Sequence, residues 1–459
     1  MLDIKLIREN PKLVRENIKK KFQSQKLPLV EKLLELDEEW RKLKLDLDNL
    51  RHERNSVSEE INKRKKQGQS VQILIAKAKE IPQRIARGEE REKQLESQIK
   101  DIRLQLPNII SKKTPIGKNA SQNKIIRKYG KIPKFKFPVK NHVELAEKLG
   151  IVDFDASARV SGNGFYFLKN ELALLNQALI RFAIDFMKKK GYEYIETPLM
   201  LQEKSIYASM TKQEIQNSVY SIKDYDLGLI GTSEQSLLAL HSNQALQEQE
   251  LPKKYFSYSM CFRKEIGSHG INEKGLWRTH QFNKVEQFIF CMPKDSEKLY
   301  EELLKNSEEI LKLLALPYRV LEICSGDLAD WKHRSADLEV WRPTTKSYEE
   351  IMSLSNCTDY QARKLNIRFV RKNGERGILH TLNDTALATS RILVAILENN
   401  QTKEGNIKIP KVLWKYIGFR EIKPKKPIKI SKKSKSKKSG KEKVKKRKIK
   451  EKKKHKKKR

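Results

Sequence analysis

The sequence predicts an α+β protein: an antiparallel-sheet domain preceded by an antiparallel helical hairpin and followed by a disordered basic tail. Three observations predict it. Two heptad seams of similar length lie near the N-terminus, strand and helix patterns then mix in irregular order with neighbouring strands close in sequence, and the last residues are mainly Lys, Ser and Pro. The expected domains are a coiled-coil arm over 1–106, a catalytic-sized domain over 107–422 and a Lys-rich tail over 423–459.

The first seam is Leu29, Leu33, Leu36, Trp40, Leu43, Leu47, Leu50, Val57 and Ile61, with one missed position at Arg54. The second follows the break KKQGQS and runs Val71, Leu74, Ala78, Ile81, Ile85. It weakens at Gly88 and Glu92, then resumes at Leu95, Ile99, Ile102 and Leu106. Apolar residues alternating three and four apart share one helix stripe, and two such stripes joined by a short turn pair with each other. Each arm would reach about 50 Å at about 1.5 Å per residue. Pro82 lies inside the second seam, where a kink or local break is expected. The outer faces carry Lys42, Lys44, Arg51, Arg54, Lys63, Arg64, Lys65, Lys66, Lys77 and Lys79. A solvated surface and a ruler along a nucleic-acid backbone are both compatible with that pattern.

The formal charge is +39, and the tail from Lys423 holds 23 Lys or Arg against two Glu, leaving +18 on the first 422 residues. Such an excess favours a polyanionic partner, above all nucleic acid. The tail cannot bury a core and is expected to be disordered, as an RNA tether or an address signal. The four cysteines, Cys261, Cys291, Cys324 and Cys357, form no C-x-x-C pair, which argues against zinc and disulfides. Neither a membrane-length apolar run nor a signal-peptide core is present, so a cytoplasmic location without membrane contact is expected.

In the middle region, Leu172 to Lys190 reads as an amphipathic helix ended by Gly191, YEYIETPLM as a strand ending at Pro198, and Leu299 to Leu316 as another helix. Strands are expected near Tyr318 to Ile323 and Ala336 to Trp341. Residues 258–290, YSMCFRKEIGSHGINEKGLWRTHQFNKVEQFIF, read as two antiparallel strands around a mobile polar loop. Period-two alternation places Cys261, Arg263 and Glu265 on one face, and Phe282, Lys284, Glu286, Phe288 and Phe290 on another. A carboxylate among aromatics is costly unless partnered, so either a structural Arg263–Glu286 pair or a polar ligand is implied. No Rossmann or P-loop glycine pattern follows a strand.

Four stretches resemble the motifs of seryl-tRNA synthetases, a class II aminoacyl-tRNA synthetase family. KKKGYEYIETPLM is similar to the dimer-forming motif 1, and CFRKEIGSHGINEKGLWRTHQFNKVEQF to motif 2 with its loop. EVWRPTTKSYEEIMSLSNCTDYQARKLNIRF resembles the segment lining the active site, and LNDTALATSRILVAILENNQ motif 3. They occur in the family's order, and the resemblance runs from the N-terminus to about Gly418.

The resemblance implies a class II catalytic domain, a homodimer, and ATP-dependent charging of serine tRNA with L-serine, selenocysteine tRNA being admitted as a second acceptor. The hairpin would contact the long variable arm of the tRNA. ATP binding would fall to Arg263, Lys264, Glu265, Thr279, Glu350, Ile351, Met352, Ser353 and Arg391, with Arg263 and Arg391 catalytic. Mg²⁺ would be held by Glu350 and Ser353. Serine would be held by Thr232, Ser233, Glu234, Arg263, Glu286, Asn383 and Thr385. Hydroxyl selection needs such hydrogen-bonding groups, because an apolar pocket discriminates poorly. The sequence departs from the family at Ser233, at Met352 where many members have Ser, and at Asp384 where many have Gly. His269 in the motif 2 loop reads as exposed. A non-catalytic RNA-binding homologue would be expected to lack Arg263, Glu286, Glu350 or Arg391, and all four are present.

Overall fold

The computed structural model describes residues 1–266, 270 and 274–424. His269 and all but the first two residues of the Lys-rich tail lie outside the described residues.

Two short helices, Ile4–Glu9 and Pro11–Lys20, lead into α1 (Leu27–Lys66), a turn with Gly68 at φ +68, and α2 (Gln72–Gln105). The heptad stripes pair as the spacing requires: Leu33, Leu36, Leu47 and Val57 of α1 are buried, as are Ile81, Ile85, Leu95 and Ile99 of α2. The second helix is not broken at Pro82. Pro82 faces solvent while Ile81 and Ile85 hold the seam, so packing outweighs the lost backbone bond. The weak point at Gly88 is a close approach, since a Cβ there would lie 2.6 Å from Leu47 Cδ2.

The arm is fastened to the body by its base. Asn108 Nδ2 donates to the carbonyls of Trp331 (3.1 Å) and Cys357 (2.9 Å), and the buried Lys21 donates to the Leu328 carbonyl at 2.6 Å. Met1–Lys423 accordingly forms one unit.

The body begins with β1 (Lys124–Tyr129) and continues with α3 (Asn170–Lys189), β2 (Glu193–Tyr194), α4 (Ser233–Ala239), β3 (Lys253–Phe262) and β4 (Gln281–Cys291). Then come α5 (Ser296–Leu313), β5 (Tyr318–Glu322), β6 (Arg334–Arg342), β7 (Ser347–Thr358), β8 (His380–Ala388) and α6 (Thr389–Asn399). Eight strands form one sheet in the order β1-β5-β6-β7-β8-β4-β3-β2. Every pairing is antiparallel except β2 with β3, a parallel edge where only two residues of the expected 192–198 strand pair. The main core includes apolar residues of α3, α5 and α6 packed against the sheet.

Two β-bulges decide which side chains reach the other face. The β6–β7 register passes from Leu338↔Met352 to Glu339↔Glu350, leaving Ile351 extra. The β8–β4 register passes from Thr385↔Glu286 to Leu387↔Val285, leaving Ala386 extra. A bulge inverts the alternation of the strand beyond it.

Candidate functional site

Glu350 and Ser353 stand three positions apart and would project to opposite faces of a regular strand. The bulge at Ile351 turns Glu350 onto the face of Ser353 and of Asp337, which pairs with Ser353 across the ladder. The second bulge does the same for Thr385 and Ala388. Apart from Asp337, these residues, with β4, Arg263 just past the end of β3, the loop before α4 and the start of α6, enclose a cleft of about 440 Å³.

At one end of the cleft are two carboxylates. Glu286 of β4 is buried and ion-paired with Lys284, two residues away on the same strand face. Thr232, whose side chain caps α4, donates its hydroxyl to Glu286 at 3.4 Å. Glu234 accepts from Gln361 Nε2 at 2.9 Å and from Asn383 Nδ2 at 3.0 Å. Enclosure of its carboxylate, then the charge of Glu286, holds Glu234 above the usual carboxylate range. Thr385 and Asn383 complete the wall. Asp384 between them projects to the opposite face, where it accepts from Ser307 (2.6 Å) and Gln287 (3.0 Å) of the core, so this departure in motif 3 leaves the cleft unaltered.

The other end carries arginines and aromatics. Arg263 donates through Nε to the Gly231 carbonyl at 3.1 Å, with its guanidinium 5.2 Å from the Phe282 ring centre. Arg391 of α6 donates to the Glu350 carbonyl at 2.7 Å, pairs with its carboxylate at 3.3 Å and lies over Trp277. Thr279 is buried and borders the cleft, as do Ile351 and Met352.

The structure departs from the expected pairing. β3 ends at Phe262, and Glu265 sits at φ +52, outside any strand alternation. Arg263 therefore does not form the structural pair with Glu286: Glu286 is paired with Lys284, and Glu265 with Arg278 at 2.6 Å. Two expected site residues are not on the cleft wall. Ser233 is fully buried, its hydroxyl without a hydrogen-bond partner among the described residues, and Lys264 is absent from the wall, its backbone amide donating to the carbonyl of Ser218, which is on it. Asp337, Gln361 and Trp277 were missed by sequence reasoning. Only the first carried a signal, as an acid on an apolar-alternating strand.

Asp337 accepts from Ser353 and is pushed up to about 7 by burial and by the charge of Glu350. Two carboxylates and a hydroxyl crowded together form an all-oxygen set that suits a hard divalent cation.

Residues 1–110 match the family model of the seryl-tRNA synthetase N-terminal domain, and 219–400 the tRNA synthetase class II core domain (G, H, P, S and T). The chain is similar to the serine–tRNA ligase of Dictyoglomus thermophilum, 45% identical over 427 residues, covering 93% of this chain and 100% of that one. It superposes on the crystal structure of seryl-tRNA synthetase from Pyrococcus horikoshii complexed with ATP at a TM-score of 0.89 and 42% identity, covering 93% of this chain and all of that one. The cytoplasmic serine–tRNA ligase of Naegleria fowleri in complex with AMP superposes at 0.84 and 34% identity, covering 93% and 99%.

Proposed function

The chain belongs to the seryl-tRNA synthetase family, and we propose how its cleft carries out that family's reaction: ATP and L-serine become seryl-adenylate and pyrophosphate, and the seryl group then passes to the terminal ribose of serine tRNA. The observation that carries the assignment of roles is the division of one cleft into a carboxylate end and an arginine end.

Glu286 and Glu234 receive the serine ammonium, and Thr232, Asn383 and Thr385 surround its hydroxyl. Arg263, fixed by Gly231 and Phe282, bridges the serine carboxylate and the α-phosphate. Arg391 clamps the terminal phosphate, a task suited to a permanently charged, planar group. Glu265 and Thr279 border the adenine. Ser233 supports α4, and Lys264 contributes its backbone. Glu350 and Ser353, with Asp337 beside them, would hold Mg²⁺, which when bound would supply neutralisation of phosphate charge. The protein's own part is positioning and charge compensation, with no general base required for a carboxylate nucleophile.

Beyond the cleft, we assign tRNA contact to the basic arm, and homodimer formation to α3 and the segment after it as far as Met200. Leu174 (55% exposed) and Met200 (49%) lie there as large apolar side chains left open. No helix among the described residues is long and apolar enough to cross a membrane.

ATP–pyrophosphate exchange tests the assignment directly. Serine should drive it, while threonine and alanine should not, and exchange at background with serine present would sink the reading. Charging of total tRNA with serine tests the second step, and purified selenocysteine tRNA tests the second acceptor.

A further inference from the structure

Of the two lysines on the described cleft wall, Lys332 donates to Ser335 at 3.2 Å, whereas Lys284 is held by Glu286 itself, and the assignment above leaves it without a task. It is buried, ion-paired to Glu286, and part of the cleft wall. This is a paradox if Glu286 exists to receive an ammonium, because its partner position is already taken by one.

The strand resolves it. Along β4 the residues facing the cleft are Glu286, Lys284 and Phe282, spaced by about 7 Å per step of two residues. Resting on the proposed function, the amino group of serine lies at Glu286, while the nucleotide lies at the Phe282, Thr279 and Arg391 end. The atoms that react lie between them, over Lys284. In the structure Lys284 neutralises Glu286. When serine arrives, its ammonium supplies that counter-charge, and the two carboxylates Glu234 and Glu286 are balanced by the serine ammonium and Lys284 together.

We propose that Lys284 is a catalytic cation of adenylate formation, exchanged off Glu286 by the serine ammonium and delivered to the oxygens at the reacting centre. In that step a serine carboxylate oxygen bonds to the α-phosphorus as the bond from that phosphorus to the oxygen bridging to the β-phosphate breaks. Pyrophosphate leaves with the electron pair, and no proton changes hands. Lys284 compensates the charge gathered on the α-phosphate oxygens, opposite Arg263.

The test compares the full chain with Lys284→Met, measuring serine-dependent ATP–pyrophosphate exchange and, separately, ATP binding by calorimetry. The turnover should fall about 100-fold or more, the range for removal of one transition-state donor. ATP affinity should stay within about threefold and the KM for serine should not rise, since Glu286 loses its rival partner. A turnover within about threefold of the parent, or a loss appearing wholly as a raised KM for serine, overturns the proposal. Should Lys284→Met fail to bind ATP, Lys284→Gln, which keeps a donor for Glu286, carries the same comparison. Loss of ATP binding in both variants would mark Lys284 as structural support and overturn the proposal as well. Background exchange in the unaltered protein would instead refute the proposed function, so the two failures are distinguishable.

Discussion

Glu234 and Glu286 share a pocket but keep different company: one accepts from two amides, the other from an ammonium and a hydroxyl. Glu286→Gln keeps the shape and removes the charge, and should raise the KM for serine at least about tenfold, leaving that for ATP within about twofold. Equal damage to both would contradict the division of the cleft. Gln361 reaches Glu234 without touching the cleft, and is itself oriented by Thr381 at 2.8 Å. Gln361→Ala should therefore raise the KM for serine several-fold with kcat little changed, the signature of a positioning residue. At this scale the alternation in FNKVEQF correctly grouped Glu286, Lys284 and Phe282, because a strand's period depends on local backbone alone. It could not show partners. Arg263 and Glu265 escaped the pattern because the chain leaves the ladder at Phe262 and turns through a positive φ at Glu265.

The arm was legible as an element because heptad seams are a local signal, and the register of α1 against α2 follows from matching them. Gly88 read as a weakness in the stripe because only the partner helix shows that Leu47 fills the space. The apolar contacts fall into a base cluster around Leu33 and Leu95 and a distal cluster around Leu47 and Ile81. Joining Lys42 to Glu89 by a short turn removes the distal cluster and spares the base. The shortened protein should retain ATP–pyrophosphate exchange within about threefold and lose most tRNA charging. Unimpaired charging would refute the role assigned to the arm. The bulges were beyond sequence reasoning, since each arises from a mismatch in length between two strands that meet only in the sheet.

Across the whole molecule, buried ionisable groups make stability depend on pH. Burial pushes His380 down to about 4, so it stays neutral when folded. Its ring binds a proton more weakly folded than unfolded, and the stability this gives is complete above pH 6.5 and lost as pH falls toward 4. Although burial opposes it, hydrogen bonds from His142, Arg342 and Thr344 hold Glu398 down at about 2. That contribution is full above about pH 4.5 and lost as pH falls toward 2. Asp337, raised to about 7, works in the opposite sense between pH 7.5 and pH 5, so the test is a difference: on lowering the pH over that window the urea midpoint of His380→Gln should fall less, or rise more, than that of the unaltered protein. Arg342 bonds Glu398 twice and covers Trp277, the ring Arg391 also lies over. Arg342→Met should cost about 3–5 kcal/mol, the range for removing one partner of a buried pair, readable by urea unfolding at pH 7.5.

The extra residue in β7 carries a consequence for how this chain can change. Ile351 is buried, and Ile351→Val should cost only about 1 kcal/mol and leave exchange nearly intact. Deleting it would rotate Glu350 by half a turn, away from Ser353 and Arg391, and should abolish exchange even where the sheet still forms. Lineages of this sequence are free to alter which side chain stands at 351 but not how many residues do, so tolerance here is a matter of counting rather than of chemistry.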